Sequence, residues 1–513
     1  MTSQTVDNNK RIAKNTLLLY IRMFFMMGIS LYTSRVVLNT LGVEDFGIYN
    51  VVGGLVSMFG LLNGSMTSAT QRYITFELGK GNSKSLNKIF SLSIQIHAFI
   101  AFVTVILIES VGLWFLYNKM TIPLCRFDAA LWVFQFSVLS SVVMIMSVPY
   151  NATIIAHEKM SAFAYISVLE VVLKLLIVFL LQLGDFDKLK LYAVLIFVVQ
   201  FCIRLVYGVY CGHHFPETKF RKVWDSNLFR EMSSFAGWNL WGHCAAIAFT
   251  QGVNIMLNLF FTPAVNAARG IAVQVQGAVA QFSVNFQTAL NPQITKSYAV
   301  HDYFCMHSLI FRSSRFTFFL LFLSSLPVMF ETEMMLTVWL KTVPPNTVVF
   351  LRLMLCATIV DAVSNPLMVA AASTGKIRFY QSIVGGILLA ILPVSYIALK
   401  FGGSPSSVFV VHLAICLLAF VVRLFIIRPM IQLSLIEYMK QVVIRCFVVA
   451  VISLVLPLLL KFLLPEENIG QSLFVCLLCV VSVLISTYCW GLDSSERLFV
   501  NRKIMSVISK IRR

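Results

Sequence analysis

Apolar stretches of about 20 residues recur from one end of this chain to the other, each long enough to cross a hydrocarbon core of about 30 Å as a helix. A soluble chain would have to hide that surface in one very large core. Here 58% of the 513 residues are hydrophobic and 12% charged, mean hydropathy is +0.84, and the charges stand in short clusters between apolar runs. The fold class expected is all-α: a polytopic membrane protein of about fourteen transmembrane helices.

The first six spans lie near 15–40, 46–70, 89–117, 129–152, 163–183 and 190–211. The next six lie near 236–261, 264–291, 313–335, 347–372, 380–400 and 407–428, and two more near 442–464 and 469–490. The first apolar stretch, from about Leu17 to Leu41, exceeds the roughly 7–15 residues of a cleavable signal core and is expected to remain as a helix.

The net charge of +18 raises nucleic acid as a partner, but the basic residues are not gathered on one soluble module. They flank spans on alternate sides. One side collects Lys10, Arg11 and Lys14, Arg72 to Lys88, Lys159, Lys219 to Arg230, Lys296 and Arg312, Lys376 and Arg378, Arg428 to Arg445 and the tail from Arg497 to Arg513. The other holds Lys119, Arg126, Lys188, Lys190, Lys341 and Lys400. The bias of roughly four to one places both termini in the cytoplasm. The external loops are all short, which argues against a membrane-embedded polymerase or glycosyltransferase, so no enzyme is expected.

The eleven cysteines are scattered, and Cys476 and Cys479 have no histidine partners, so buried free thiols are expected and no metal or cofactor. GKGNSK at 79–84 lacks phosphate-loop spacing and reads as a solvated loop.

The chain also matches itself at a nearly constant offset. Pro149 and Pro366 are 217 residues apart (366 − 149), as are Lys159 and Lys376, and Leu38-Asn39 returns as Leu257-Asn258 after 219 (258 − 39). Two parallel six-helix copies follow, with a pseudo-twofold axis along the membrane normal and a path between them. The expected organisation is a lobe at 1–211, a second at 212–428, and two extra helices with a basic tail at 429–513.

Ionisable residues inside a bilayer are functional candidates by default. Arg22, Arg35, Arg204, Arg269 and Arg423 all stand close enough to span ends to snorkel. Arg269 has company: Gln276, Ser283, Gln287 and Asn291 share its helical stripe, while Asn239, His243, Thr250, Asn254 and Asn258 share a face of the preceding span. The second span aligns Asn50, Gly54, Ser57, Gly64 and Ser68. Such stripes avoid lipid; they serve helix packing or line a hydrated cavity. Amides bind sugar hydroxyls and guanidinium groups grip phosphate oxygens, so the combination suits a glycan carried on pyrophosphate. Glu170 and Lys174 at i,i+4 neutralise each other. Glu109 and Asp361 have no partner nearby in sequence and are candidates for a coupling cation.

Three segments, RVVLNTLGVEDFGIYNVVGGLV at 35–56, PYNATIIAHEKMSAFAYIS at 149–167 and ARGIAVQVQGAV at 268–279, resemble the Wzx-type flippases of O-antigen and capsule repeat units. These belong to the multidrug/oligosaccharidyl-lipid/polysaccharide (MOP) exporter superfamily. The resemblance implies two six-helix lobes plus two helices working by alternating access in a bacterial inner membrane. It implies an undecaprenyl-pyrophosphate-linked oligosaccharide as cargo, with membrane lipids, a polysaccharide polymerase and a chain-length regulator as partners. Related flippases carry cavity arginines in helices 1, 2 and 8; Arg35 and Arg269 fall in comparable regions, although the second span offers Asn50 and no arginine. Arg35 and Arg269 would hold the pyrophosphate, and Asn50, Asn239, His243, Asn254, Gln276 and Gln287 would face the sugars. The drug-efflux branch commonly has a carboxylate in helix 1, which this chain lacks. The alternative is a cation-coupled multidrug exporter using Asp361 or Glu109, and a third reading is a scaffold that transports nothing.

Overall fold

A computed structural model describes residues 3–58, 61–118, 122–182, 186–261, 263–340, 343–463, 469–498, 500, 501 and 505. In chain order the helices are α1 (Ser3–Met58), α2 (Leu61–Lys80), α3 (Ser83–Leu107), α4 (Leu113–Asn118), α5 (Phe127–Ala156), α6 (Met160–Leu180) and α7 (Lys188–His214). They continue as α8 (Ser226–Phe260), α9 (Pro263–Ala299), α10 (Tyr303–Phe330), α11 (Thr332–Leu340), α12 (Thr347–Ser373), α13 (Arg378–Leu389) and α14 (Ile391–Lys400). The last are α15 (Ser407–Ile431), α16 (Leu435–Tyr438), α17 (Ile444–Leu463) and α18 (Ile469–Ser486). The all-α expectation holds. Among the described residues ten helical stretches, from Ser83–Asn118 to Ile469–Gly491, are long and apolar enough to cross a membrane. The long α8 and α9, which carry the polar stripes, are not among those ten.

The chain forms two compact units. The first comprises Met1–Cys244, Thr288–Asp302 and Gly375–Gln381; the second comprises Ala245–Gln287, Tyr303–Thr374 and Ser382–Arg513. In the first, α5 is central and packs on α7, α2, α3 and α1; Val133, Phe134 and Val138 meet Ile48, Val52 and Val56 in one apolar cluster. In the second, α12 packs on α15 and α10, and the carboxy-terminal α18 packs on α17 and α10.

α1 is interrupted at Gly42, whose φ of 81° and ψ of 168° break the helical ladder; L-residues with a side chain rarely adopt this conformation. Asp45, just beyond the break, is bound by Arg126, which donates through Nε at 2.8 Å and through Nη2. The same guanidinium donates to Asp187 at 2.8 Å, so one arginine ties three segments of the first unit together. Here the motif GVEDFG of 42–47 is a helix break followed by an anchor.

Local geometry repeats at the offset visible in the sequence. Pro149 and Pro366 each stand seven residues before the end of their helix, at Ala156 and Ser373 (156 − 149; 373 − 366). Each helix is followed by a left-handed residue, Glu158 at φ 58° and Gly375 at φ 77°, again 217 apart (375 − 158). α2 and α9 end at Lys80 and Ala299, 219 apart (299 − 80), in matching turns. Gly81 and Asn82 donate to Leu78 and Glu77, and His301 and Asp302 donate to Tyr298 and Ser297. These paired bonds close a helix through a left-handed residue, and the chain uses the closure twice.

Candidate functional site

In the second unit, Arg269, Gln276 and Gln287 of the α9 stripe are held by α8 and α12, whereas Asn291 belongs to the first. Arg269 is only 5% exposed. It donates through Nη1 to the Asn254 side-chain oxygen and through Nη2 to the Thr250 carbonyl at 2.9 Å, both on α8. Its Nε is buried without a hydrogen-bond partner. Asn254 in turn donates to exposed Gln251 at 3.2 Å, and Asn266 donates to the Asn254 carbonyl at 3.3 Å. No carboxylate pairs with Arg269 among the described residues, so a buried cation is satisfied by an amide and a carbonyl only.

Two turns along α9, Gln276 donates to Thr358 Oγ1 on α12 at 2.6 Å. Buried Gln287 accepts from Asn365 at 2.5 Å and reaches the Ala362 carbonyl at 3.5 Å. That carbonyl would normally accept from residue 366, but Pro366 has no N–H. Gln287 therefore serves the proline bend of α12. The adjacent Val363 carbonyl accepts from Ser314 Oγ at 2.9 Å and from the buried Tyr438 hydroxyl at 3.2 Å.

Asp361 has a partner that its own stretch of sequence does not disclose. Arg423 on α15 donates to Asp361 Oδ1 at 3.0 Å, with side-chain exposures of 4% and 45%. The Cys416 thiol lies 3.7 Å from the other oxygen. The snorkelling expected of Arg423 is thus corrected: pairing with a carboxylate holds it inside. His412, stacked on Phe249 with centroids 4.5 Å apart, lies within electrostatic reach of both Asp361 and Arg269. Arg269, Arg423 and Asp361 leave one positive charge uncompensated in this region. Sequence reasoning missed Arg423 and His412 as site residues; the available signal was two opposite charges buried in the same stretch of apolar spans.

The remaining candidates stand apart from this cluster. In the first unit, Asn50 is exposed and donates back to the Phe46 carbonyl at 2.8 Å. Asn239 accepts from Gln381 at 3.3 Å, and His243 is exposed. Glu109 lies in a π-helical turn and accepts from Gln135 at 3.3 Å, so it too has a partner. The Arg35 side chain and the tail residues Arg502, Lys503, Lys510, Arg512 and Arg513 lie outside the described residues. Arg22 and Arg204 are half-buried. Each guanidinium lies over an aromatic ring, Phe163 at 4.4 Å and Tyr150 at 3.8 Å. Lys174 bonds Glu170 at 2.6 Å, as the i,i+4 spacing requires. The described cysteines are free, and no group of histidine, cysteine and carboxylate side chains among the described residues could hold a metal.

No family model and no curated protein matches the chain. Solved structures do. The chain superposes on the outward-facing conformation of a multidrug-resistance MATE family transporter of the MOP superfamily, with a TM-score of 0.70 and 11% identity over 83% of this chain and 96% of that one. A second neighbour is the MATE transporter ClbM in complex with Rb+, with a TM-score of 0.68 and 15% identity over 84% and 97%. A third, from Pyrococcus furiosus, is a MOP superfamily transporter whose reversed pocket polarity was taken to suggest a different function; its TM-score is 0.64, with 12% identity over 82% and 96%. At these identities the likeness establishes the fold: the chain is folded as the two-lobed, all-helical MATE transporters of the MOP superfamily are.

Proposed function

We propose that the protein is a transporter that carries a polyprenyl-pyrophosphate-linked oligosaccharide from the cytoplasmic to the periplasmic leaflet of a bacterial inner membrane, by alternating access. The product would feed O-antigen or capsule assembly, in company with a polymerase and a chain-length regulator. Both termini would be cytoplasmic, with six-helix lobes at 1–211 and 212–428 and the helices of 429–513 added to the second. The observation that carries this reading is Arg269: a guanidinium nearly sealed from solvent, with no acidic partner among the described residues, two of its N–H groups bonded and its Nε without a partner. A buried charge without a counter-ion is costly and persists where something anionic is meant to meet it. Arg269, and Arg35 by its place in helix α1, would hold the pyrophosphate. Asn254 and Gln251 stand beside it for sugar hydroxyls, with Asn50, Asn239, His243 and Gln276 as further sugar contacts.

The second reading, a cation-coupled multidrug exporter, draws on the name of the first structural neighbour. Its ion site would be Asp361 or Glu109; Arg423 already pairs with the first and Gln135 donates to the second, and we rank the anionic cargo first on Arg269 alone. The deciding experiment uses a deletion strain. Lipid-linked repeat units should accumulate on the cytoplasmic face and be cleared by the wild-type gene but not by Arg269→Ala at equal abundance. Normal surface polysaccharide with Arg269→Ala would remove the phosphate role. Drug sensitivity with intact surface glycan would select the exporter.

A further inference from the structure

The turn between α5 and α6 carries a carboxylate that the cargo site does not use. Glu158 sits in the left-handed region at φ 58°, uncommon for a residue with a β-carbon. Its side chain is 2% exposed. It accepts from Lys296 Nζ at 2.7 Å and from Gln293 Nε2 at 3.0 Å, both near the end of α9. Its backbone carbonyl accepts from Asn15 on α1 at 3.3 Å. The last turns of α9, 288–299, belong to the first unit, whereas 263–287 of the same helix belong to the second. This pair therefore grips the end of a helix whose other end bears Arg269.

The repeat-related turn does the equivalent with the chemistry changed. Gly375, 217 residues after Glu158, also has a left-handed backbone, at φ 77°. A β-carbon there would lie 2.8 Å from Nη2 of Arg72 on α2. At one turn the acid is in the turn and the cation on the helix. At the other the turn contributes bare backbone and the helix brings a guanidinium against it. Only the first is a pair of opposite charges, with Lys296 28% exposed and so within reach of water when the contact opens.

We infer that Glu158 is a positioning residue for transport: with Lys296 and Gln293 it forms a releasable clasp on the end of α9, and its opening is a step in moving the cargo-binding stretch of that helix. The inference rests on the transport reading for its purpose, but its test needs no cargo. The test is hydrogen–deuterium exchange by mass spectrometry on the full chain in lipid nanodiscs. The proteins compared are the wild type, Glu158→Gln, Lys296→Met, and the reversed pair Glu158→Lys with Lys296→Glu. Each single variant should raise exchange by about tenfold at 288–302 and also alter it across 245–287, which belong to the other unit. The reversed pair should restore both. Loosening confined to 288–302 and the α5–α6 turn, or no rescue by the reversed pair, would overturn the inference. If Glu158→Gln does not fold, Gln293→Leu, which removes one hydrogen bond, should give the same pattern at smaller amplitude, and an unchanged 245–287 there would equally overturn it. Should the clasp respond as expected while Arg269→Ala leaves polysaccharide export normal, the clasp stands and the cargo assignment falls.

Discussion

Replacing Arg269 by methionine separates a residue kept for a ligand from one kept for the fold. Methionine has similar length and no charge, so the change removes two hydrogen bonds from the guanidinium, to Asn254 and to the Thr250 carbonyl. Bonds to charged groups contribute about 1.5–3 kcal/mol each, a loss of about 3–6 kcal/mol. It also removes an ion that is 5% exposed and has no acidic partner among the described residues, and the penalty for such burial is several kcal/mol per ion. Asn254 keeps Gln251 as a partner. The two contributions nearly cancel, so the purified variant should unfold within about 2 kcal/mol of wild type. A structural arginine stripped from a buried pair would cost about 3–5 kcal/mol instead. Ligand binding should behave oppositely. Losing two charge-assisted contacts to a pyrophosphate should weaken binding by about 3–6 kcal/mol, roughly a hundredfold or more. The assay is thermal unfolding in detergent with a polyprenyl pyrophosphate as probe. Wild type should shift upward with probe concentration and Arg269→Met should not. A variant that unfolds far below wild type, or that keeps the full ligand shift, would refute the reasoning.

Arg423→Met should destabilise by about 1–2 kcal/mol, less than a fully buried pair because the Asp361 side chain is 45% exposed. Adding Asp361→Asn should recover most of it, as chemical denaturation would show. Gly42→Ala places a β-carbon in open space at φ 81° and should cost about 1–2 kcal/mol through backbone strain alone. Gly375→Ala adds a clash with Arg72 and should cost more by the same measurement. Asp493 is held below its ordinary value: burial pushes it up, but hydrogen bonds from Arg315 and Arg445 outweigh that. A carboxyl depressed on folding contributes stability above its ordinary value of 3.8 and loses it as pH falls through the depressed one. Asp493→Asn should therefore lower stability near neutrality and flatten the stability curve below about pH 4.

Much of this molecule is written locally and was legible for that reason. Span length and apolar content answer directly to the bilayer's thickness, so α3 to α7, α12 to α15, α17 and α18 fall close to their expected places, whereas the span expected at 313–335 is divided between α10 and α11. Glu170–Lys174 needs only the pitch of a helix. What could not be read is pairing across long separations: Arg423 meets Asp361 after 62 residues, and Lys296 meets Glu158 after 138. A buried arginine and a snorkelling one look alike in a sequence, because position along a span does not reveal which face is covered. The stripe on α9 was visible, but its division of labour was not. Gln287 serves the carbonyl freed by Pro366, whereas Arg269 serves no carboxylate described.

The repeat explains why these differences carry meaning. Two segments 217 residues apart fold to the same proline-bearing helix and the same left-handed turn, so backbone geometry imposes no reason for their side chains to differ. Glycine meets the left-handed requirement at least cost, and at 375 the chain uses it. At 158 it tolerates a glutamate, and that residue's carboxylate, not its backbone, reaches α9. A strained residue retained where its repeat mate shows the unstrained solution is held there by its contacts. The same reasoning applies to Arg269: a chain able to satisfy a buried guanidinium with Asp361, as it does at Arg423, leaves this one to an amide and a carbonyl. Each departure from the cheaper solution lies on or against α9, one near either end, which makes that helix the place to look for both cargo and motion.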